Sequence, residues 1–348
     1  MFNDHIHRIS GDTLVMANAI LPMPPFSWQR SVWDEFFRRV ENDQLPHAFL
    51  LSGQEGLGAE PLAMAMAQYI LCLSPAGQMV CGKCRSCQLL ASASHPDLNS
   101  VIPADKGKQI KVDQIRDIAD FVSKTAQQGG YKVVLIFPAE SMNNNAANAL
   151  LKNLEEPSGK TVFILVSQNP SRLLPTIRSR CAKIVLSVPP KDESLAWLEA
   201  VGVKDDAEAL LAETHGAPIL AKEWHHQGVM QERNEILKGL LDIAKYTLEP
   251  MVFAKKLGSG APMAIVEVMQ NSVDMMLSSV LAGRPLANNY LALAEMLPNC
   301  SHSTLFRLRD RLCEKKSQLL GPSNLNPVLF IEELVLDWTA VTKPSTQR

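Results

Sequence analysis

Four cysteines fall close together as Cys72, Cys81, Cys84 and Cys87, in the pattern C-x8-C-x2-C-x2-C. Thiolates separated by two residues can converge on one cation, and four of them close a tetrahedral Zn2+ site. Gly82 and Lys83 suit a tight knuckle between ligands. With no coordination position left open, such a site is structural. A redox C-x-x-C would use two cysteines opening a helix rather than four. An iron–sulfur cluster uses the same atoms, and spacing alone does not separate it from zinc, the expected ion. His95, directly before Pro96, reads as a turn residue. Cys181, Cys300 and Cys313 stand alone and read as small buried residues.

A second constellation is Gly53-Gln-Glu-Gly-Leu-Gly58, the G-x-x-x-x-G frame of a phosphate-binding loop. A Lys to neutralise the phosphates and a Ser or Thr to hold Mg2+ should follow. Ala59 and Glu60 stand there instead, and Glu60 puts negative charge where phosphates must sit. Downstream, the apolar run from Lys132 to Phe137 ends in Pro138 and Ala139 rather than in metal-holding carboxylates. Glu140 is the nearest group that could compensate. Taken alone, Gly53–Gly58 could be an ordinary glycine-rich turn. The two vacancies together predict a nucleotide-binding fold that has lost hydrolysis and binds no ATP of its own.

The elements needed to position these residues are legible as periodicities. Ala48–Leu51, Asp97–Ile102, Lys132–Phe137, Thr161–Val166 and Ala182–Leu186 are short apolar runs that read as buried strands. Between them, Leu62–Leu73, Val112–Ser123 and Asn144–Glu156 read as helices, and Trp28, Val32, Trp33, Phe36, Phe37 and Val40 recur at helical spacing. Strands alternating with helices predict an α/β domain with a parallel sheet covered on both faces. The pattern ends at Val188-Pro189-Pro190. Short helical pieces follow (195–201, 207–214, 219–224), and long helices run from about residue 230.

Three further stretches carry a family resemblance. Asn148-Ala-Leu-Leu-Lys-Asn-Leu-Glu-Glu-Pro157 resembles the helix after the second nucleotide-binding motif of clamp-loader ATPases. Ser179-Arg180-Cys181 matches their Ser-Arg-Cys motif, and a four-cysteine insertion after the phosphate-loop helix is typical of the bacterial members. From about residue 24 the chain resembles the delta-prime family of bacterial DNA polymerase III clamp-loader subunits, within the AAA+ class. The resemblance implies an AAA+ P-loop-type domain with a zinc module at 25–188, a small helical lid at 189–229 and an all-α collar at 230–348. It implies that Arg180 is an arginine finger supplied in trans to a neighbouring ATP site, where an always-charged planar guanidinium stabilises phosphoryl charge. Ile219 stands where ATP-binding members carry a lid arginine, and Ser167 and Gln168 end the strand that carries their sensor residue. Implied partners are the other loader subunits (delta and gamma/tau), with the sliding clamp and primed DNA reached through the complex. The chain would count as DNA-directed DNA polymerase only by complex membership. The implied location is the cytoplasmic replisome.

Composition agrees with a protein-binding subunit. The 348 residues are 46% hydrophobic and 20% charged, and 34 Lys+Arg against 36 Asp+Glu give a net charge of -2. That excludes a protein that coats nucleic acid by bulk charge, and no apolar run reaches the roughly 18 residues of a membrane span. Residues 1–24 read as an extension or an upstream start, with Met16 or Met23 as later starts. Asp4, Asp12 and the proline cluster at 22–25 do not fit an export signal. Two other functions fit parts of the sequence: an active ATPase in which Ala59 and Glu60 are compensated, and a zinc-dependent nucleic-acid-binding module.

Overall fold

The apolar runs form five strands: β1 (Ala48–Ser52), β2 (Leu98–Val101), β3 (Lys132–Ile136), β4 (Thr161–Ser167) and β5 (Ala182–Val185). All neighbours pair in parallel, in the order β2-β3-β4-β1-β5. The three central strands are buried along their whole length, which is why they read as unbroken apolar runs. The edge strands β2 and β5 are only partly covered. Within each central strand, alternate residues feed opposite layers, as the period of two requires. Phe49, Leu51, Val133, Leu135, Val162, Ile164 and Val166 pack into one core, while Leu50, Val134, Ile136, Phe163 and Leu165 pack into the other.

Helices α1 (Arg30–Glu41) and α2 (Ala59–Leu71) cover the first face, and α3 (Arg85–Ala91) follows α2. Helices α4 (Val112–Ser123), α5 (Asn144–Glu155) and α6 (Pro175–Arg180) cover the second. Neither α3 nor α6 was expected; each is under two turns long, too short to show a period. Then come α7 (Lys191–Ala200), α8 (Ala207–Glu213), α9 (Pro218–Gln227), α10 (Val229–Ala244), α11 (Pro250–Leu257), α12 (Pro262–Ala282), α13 (His302–Leu320) and α14 (Pro327–Thr342).

This computed structural model describes residues 20–342 apart from 106, 158, 259, 261, 284–285, 287, 296–300 and 321–324. The start of the expected N-terminal extension, with Met16, and Cys300 lie outside the described residues. Two compact units result. One holds the described residues up to Gly202 together with Gly216–Leu220; the other holds Val203–His215 and the described residues from Ala221 onward.

The second unit is helical and has its own core, with Ile236, Leu240, Met269, Val273, Ile331, Leu334 and Trp338 among its members. The Trp338 indole N–H donates to the Leu240 carbonyl at 2.9 Å. Arg233 is buried here between Glu213 (3.3 Å) and Glu267 (3.4 Å), its guanidinium 4.6 Å from the Trp224 ring centre. α14 is central, yet it leaves Val328, Leu329 and Leu336 exposed. Cys313 corrects an expectation. Leu305, Leu308 and Leu312 form the buried stripe of α13, and Cys313, one position past it, is exposed.

Candidate functional site

The four cysteines converge. Cys72 ends α2, Cys81 and Cys84 flank the left-handed Gly82 (φ 68), and Cys87 sits in α3. The sulfurs of Cys72 and Cys81 are 3.7 Å apart, those of Cys72 and Cys87 3.7 Å, and those of Cys81 and Cys87 3.9 Å; all four lie within 4.8 Å of one another. A tetrahedron with Zn–S bonds of about 2.3 Å has an edge of about 3.8 Å, so the donor set fits one such ion. A multi-iron cluster, spreading its thiolates over separate irons, needs a wider cage. Backbone N–H groups of Cys81, Cys84 and Cys87 donate to the sulfurs of Cys72, Cys81 and Cys84 at 3.3–3.4 Å. Hydrogen bonds from the Ser74 side chain and the Lys83 and Cys84 backbone pull the Cys81 thiol down to about 5, whereas burial pushes Cys72 and Cys87 up. A bound cation would reverse that burial effect, because it favours the thiolate.

His95 is buried behind this centre rather than placed at a surface turn. Its Nε2 lies 2.8 Å from Ser86 Oγ, which donates to the Leu71 carbonyl at 2.6 Å, and its Nδ1 accepts the Asp97 N–H at 3.1 Å. Since the single Ser86 hydroxyl proton goes to Leu71, Nε2 must carry the imidazole hydrogen. The imidazole thereby ties α3 to the end of α2 and to the start of β2. A His-Pro dipeptide gives no local signal of this tie, which depends on a residue nine positions away.

The glycine loop lies between β1 and α2, where a phosphate loop belongs, but protein fills its surroundings. Leu57 is buried, and it shares a core with Ala217 and Leu220. The Ile219 N–H donates to the Gly56 carbonyl at 3.2 Å, and a Cβ built on Gly56 (φ +81) would lie 2.5 Å from Leu220 Cβ. From the other side, Trp28 Nε1 donates to the Leu57 carbonyl at 3.1 Å, and Gln29 Nε2 donates to the carbonyls of Leu57 and Gly58 at 3.0 and 2.9 Å. The Trp28 ring stacks on Phe26 and meets Trp197 of α7 edge-on. Ala59 and Glu60 open α2 without a cationic side chain. Glu140 binds backbone instead of compensating for the missing carboxylates. Its Oε1 accepts the N–H groups of Gln168 and Asn169 at 2.9 and 3.0 Å, fastening the turn after β4.

Arg180 occupies the last turn of α6, a helix opened by Pro175 and anchored through buried Ile177. Its Nη2 lies 2.5 Å from Glu155 Oε1, and Nη1 donates to the Thr176 carbonyl at 3.0 Å. The side chain is 34% exposed. Neighbouring Cys181 is buried, which pushes its thiol up to about 11. The structure thus gathers the cysteines at one centre, holds Gly53, Gly58, Ala59 and Glu60 at a covered loop, and leaves Arg180 at a surface edge.

A family model described as DNA polymerase III, delta subunit, matches residues 28–190. The DNA polymerase III subunit delta' of Pseudomonas aeruginosa is 37% identical over 92% of this chain and 98% of its own length. The chain belongs to the delta-prime family of DNA polymerase III subunits. Its Escherichia coli counterpart is 30% identical, covering 89% of this chain and 94% of its own. A gamma subunit-related protein of known structure from Thermotoga maritima is 18% identical and covers 89% of this chain and 99% of its own, with a TM-score of 0.40. The sheet-containing unit of this delta-prime family member is an α/β domain built on a five-stranded parallel sheet. Among the described residues no helix is long and apolar enough to cross a membrane.

Proposed function

We propose that this chain is a non-hydrolysing subunit of a bacterial clamp loader, one that binds no ATP at its own loop and lends Arg180 to the ATP site of a neighbouring subunit. The observation that carries the reading is a contrast. The Gly53–Gly58 loop is packed against Ala217, Leu220, Trp28 and Gln29, while Arg180 keeps a solvent-accessible guanidinium on a short, well-anchored helix. The delta-prime relatives support the same assignment. In this reading the other loader subunits, delta and gamma/tau, are the direct partners, and the sliding clamp and primed DNA are engaged through the complex. Residues 189–229 serve as a helical lid and 230–348 as a collar, in which exposed Val328, Leu329 and Leu336 meet neighbouring subunits. Cys72, Cys81, Cys84 and Cys87 hold a structural Zn2+, which supplies cross-linking and no reaction step. The setting is the cytoplasmic replisome, and polymerase activity belongs to the assembly.

Reconstitution tests this directly. Arg180→Ala should leave assembly intact and lower the DNA-stimulated ATPase of the complex. At the site it serves the loss should be on the order of a thousandfold in turnover, diluted in the steady state by the other ATP sites. The isolated chain should bind no ATP by calorimetry. Unchanged ATPase with Arg180→Ala, or Mg2+-dependent hydrolysis by the chain alone, would refute the proposal.

A further inference from the structure

Arg180 is already engaged by an anion of its own chain. Glu155, the last residue of α5, places Oε1 2.5 Å from Arg180 Nη2, and the Thr176 carbonyl accepts from Nη1. A carboxylate and a phosphate compete for the same donors of a guanidinium, because both present oxygens that match its planar fork. The two helices that carry the pair share one core: Leu150 and Leu154 from α5 and Ile177 from α6 are all buried in it. That packing fixes the distance between the backbones and leaves the exchange to the side chains. Glu155 is 49% exposed and Arg180 34%, so the pair lies in water rather than in the interior, and it can be separated at small expense.

We propose that Glu155 is a positioning residue that holds Arg180 in reserve, and that capture of the neighbouring subunit's nucleotide is an exchange of the Glu155 carboxylate for a phosphate oxygen. This rests on Arg180 being the finger supplied in trans. Two effects of Glu155 then have the same sign. Arg180 must leave its carboxylate before it can reach phosphate, and the carboxylate left behind repels the incoming anion. Both oppose the finger-engaged state without touching the chemistry once that state has formed. Glu155 therefore sets how readily ATP closes the adjoining site, whereas Arg180 sets how fast the closed site turns over.

The test is steady-state ATPase of the complete reconstituted loader with primed DNA and clamp, using Glu155→Gln and Glu155→Ala. The expected result is a fall in the KM for ATP of about two- to fivefold, the range an exposed ion pair allows, with kcat held within about twofold. The shift should shrink as salt rises, since the pair is solvent-exposed. In an Arg180→Ala background the fall in KM caused by Glu155→Gln should shrink to what carboxylate repulsion alone supplies, a coupling that a merely structural carboxylate would not produce. An unchanged KM, a lowered kcat, or a Glu155→Gln effect of undiminished size without Arg180 overturns the proposal while leaving the finger in place. Normal ATPase in Arg180→Ala alone removes the finger and the latch together.

Discussion

Two glycine-bearing turns of the sheet-containing unit have opposite fates. The turn at Gly53–Gly58 keeps the backbone frame of a phosphate loop, but its surroundings are protein: Leu220 against Gly56, Trp28 and Gln29 on the carbonyls of Leu57 and Gly58. The turn at Gly82 keeps four sulfurs within 4.8 Å of each other, the spacing of donors around a single ion. In the first turn no lysine follows the glycine frame, and protein side chains pack against the loop. In the second the donor set is complete, and packing alone leaves thiols whose burial raises Cys72 and Cys87. A backbone motif therefore says where a ligand could lie, and the side chains around it say whether one is required.

The contrast between the two turns breaks most visibly at the cysteines. One Zn2+ per chain should be found by elemental analysis, and chelation, or Cys87→Ser, should lower stability by about 4 kcal/mol or more, the range reached when a structural metal is lost. Denaturant unfolding with and without chelator measures it; full stability without metal would mean that the sulfurs merely fill space. Next in size is Gly56→Ala. The new methyl group would meet Leu220 at a positive φ, and a loss of about 1–3 kcal/mol is expected from crowding and backbone strain together. An open, phosphate-ready loop would tolerate the change apart from the strain, so a loss below about 1 kcal/mol would count against the packed description. The smallest effect is at His95. Burial holds its imidazole below the ordinary value, with the Asp97 charge opposing. The unfolded chain takes up a proton below about pH 6.5 that the folded chain resists, so this contribution is complete above that pH and declines as pH falls toward the lower folded value. In zinc-saturated buffer, His95→Gln should flatten that decline, which unfolding curves at successive pH values would reveal.

Much of this was legible in the sequence because it is local. The central strands announced themselves as doubly buried runs, Val112–Ser123 has the bounds its amphipathic period implied, and the C-x2-C spacing pointed at one ion. What escaped was carried by contacts between distant residues. Neither the seating of Ile219 and Leu220 on Gly56 nor the pairing of Glu155 with Arg180 has a period or a motif, and α3 is too short to show one. Glu140 looked like a displaced metal ligand because sequence shows its charge and not the two amide groups it faces. Cys313 failed for the opposite reason. A cysteine is usually buried, but its place on α13 is one step outside the apolar stripe.

The tryptophan on the loop has a practical consequence. Because the Trp28 indole N–H is bonded to the Leu57 carbonyl and its ring is stacked on Phe26 and met edge-on by Trp197, the electronic surroundings of that fluorophore depend on the closed loop. Any partner that pries the loop open would wet the indole and redden its emission. The covered loop thus carries an intrinsic optical gauge of its own closure, readable during assembly without an added dye.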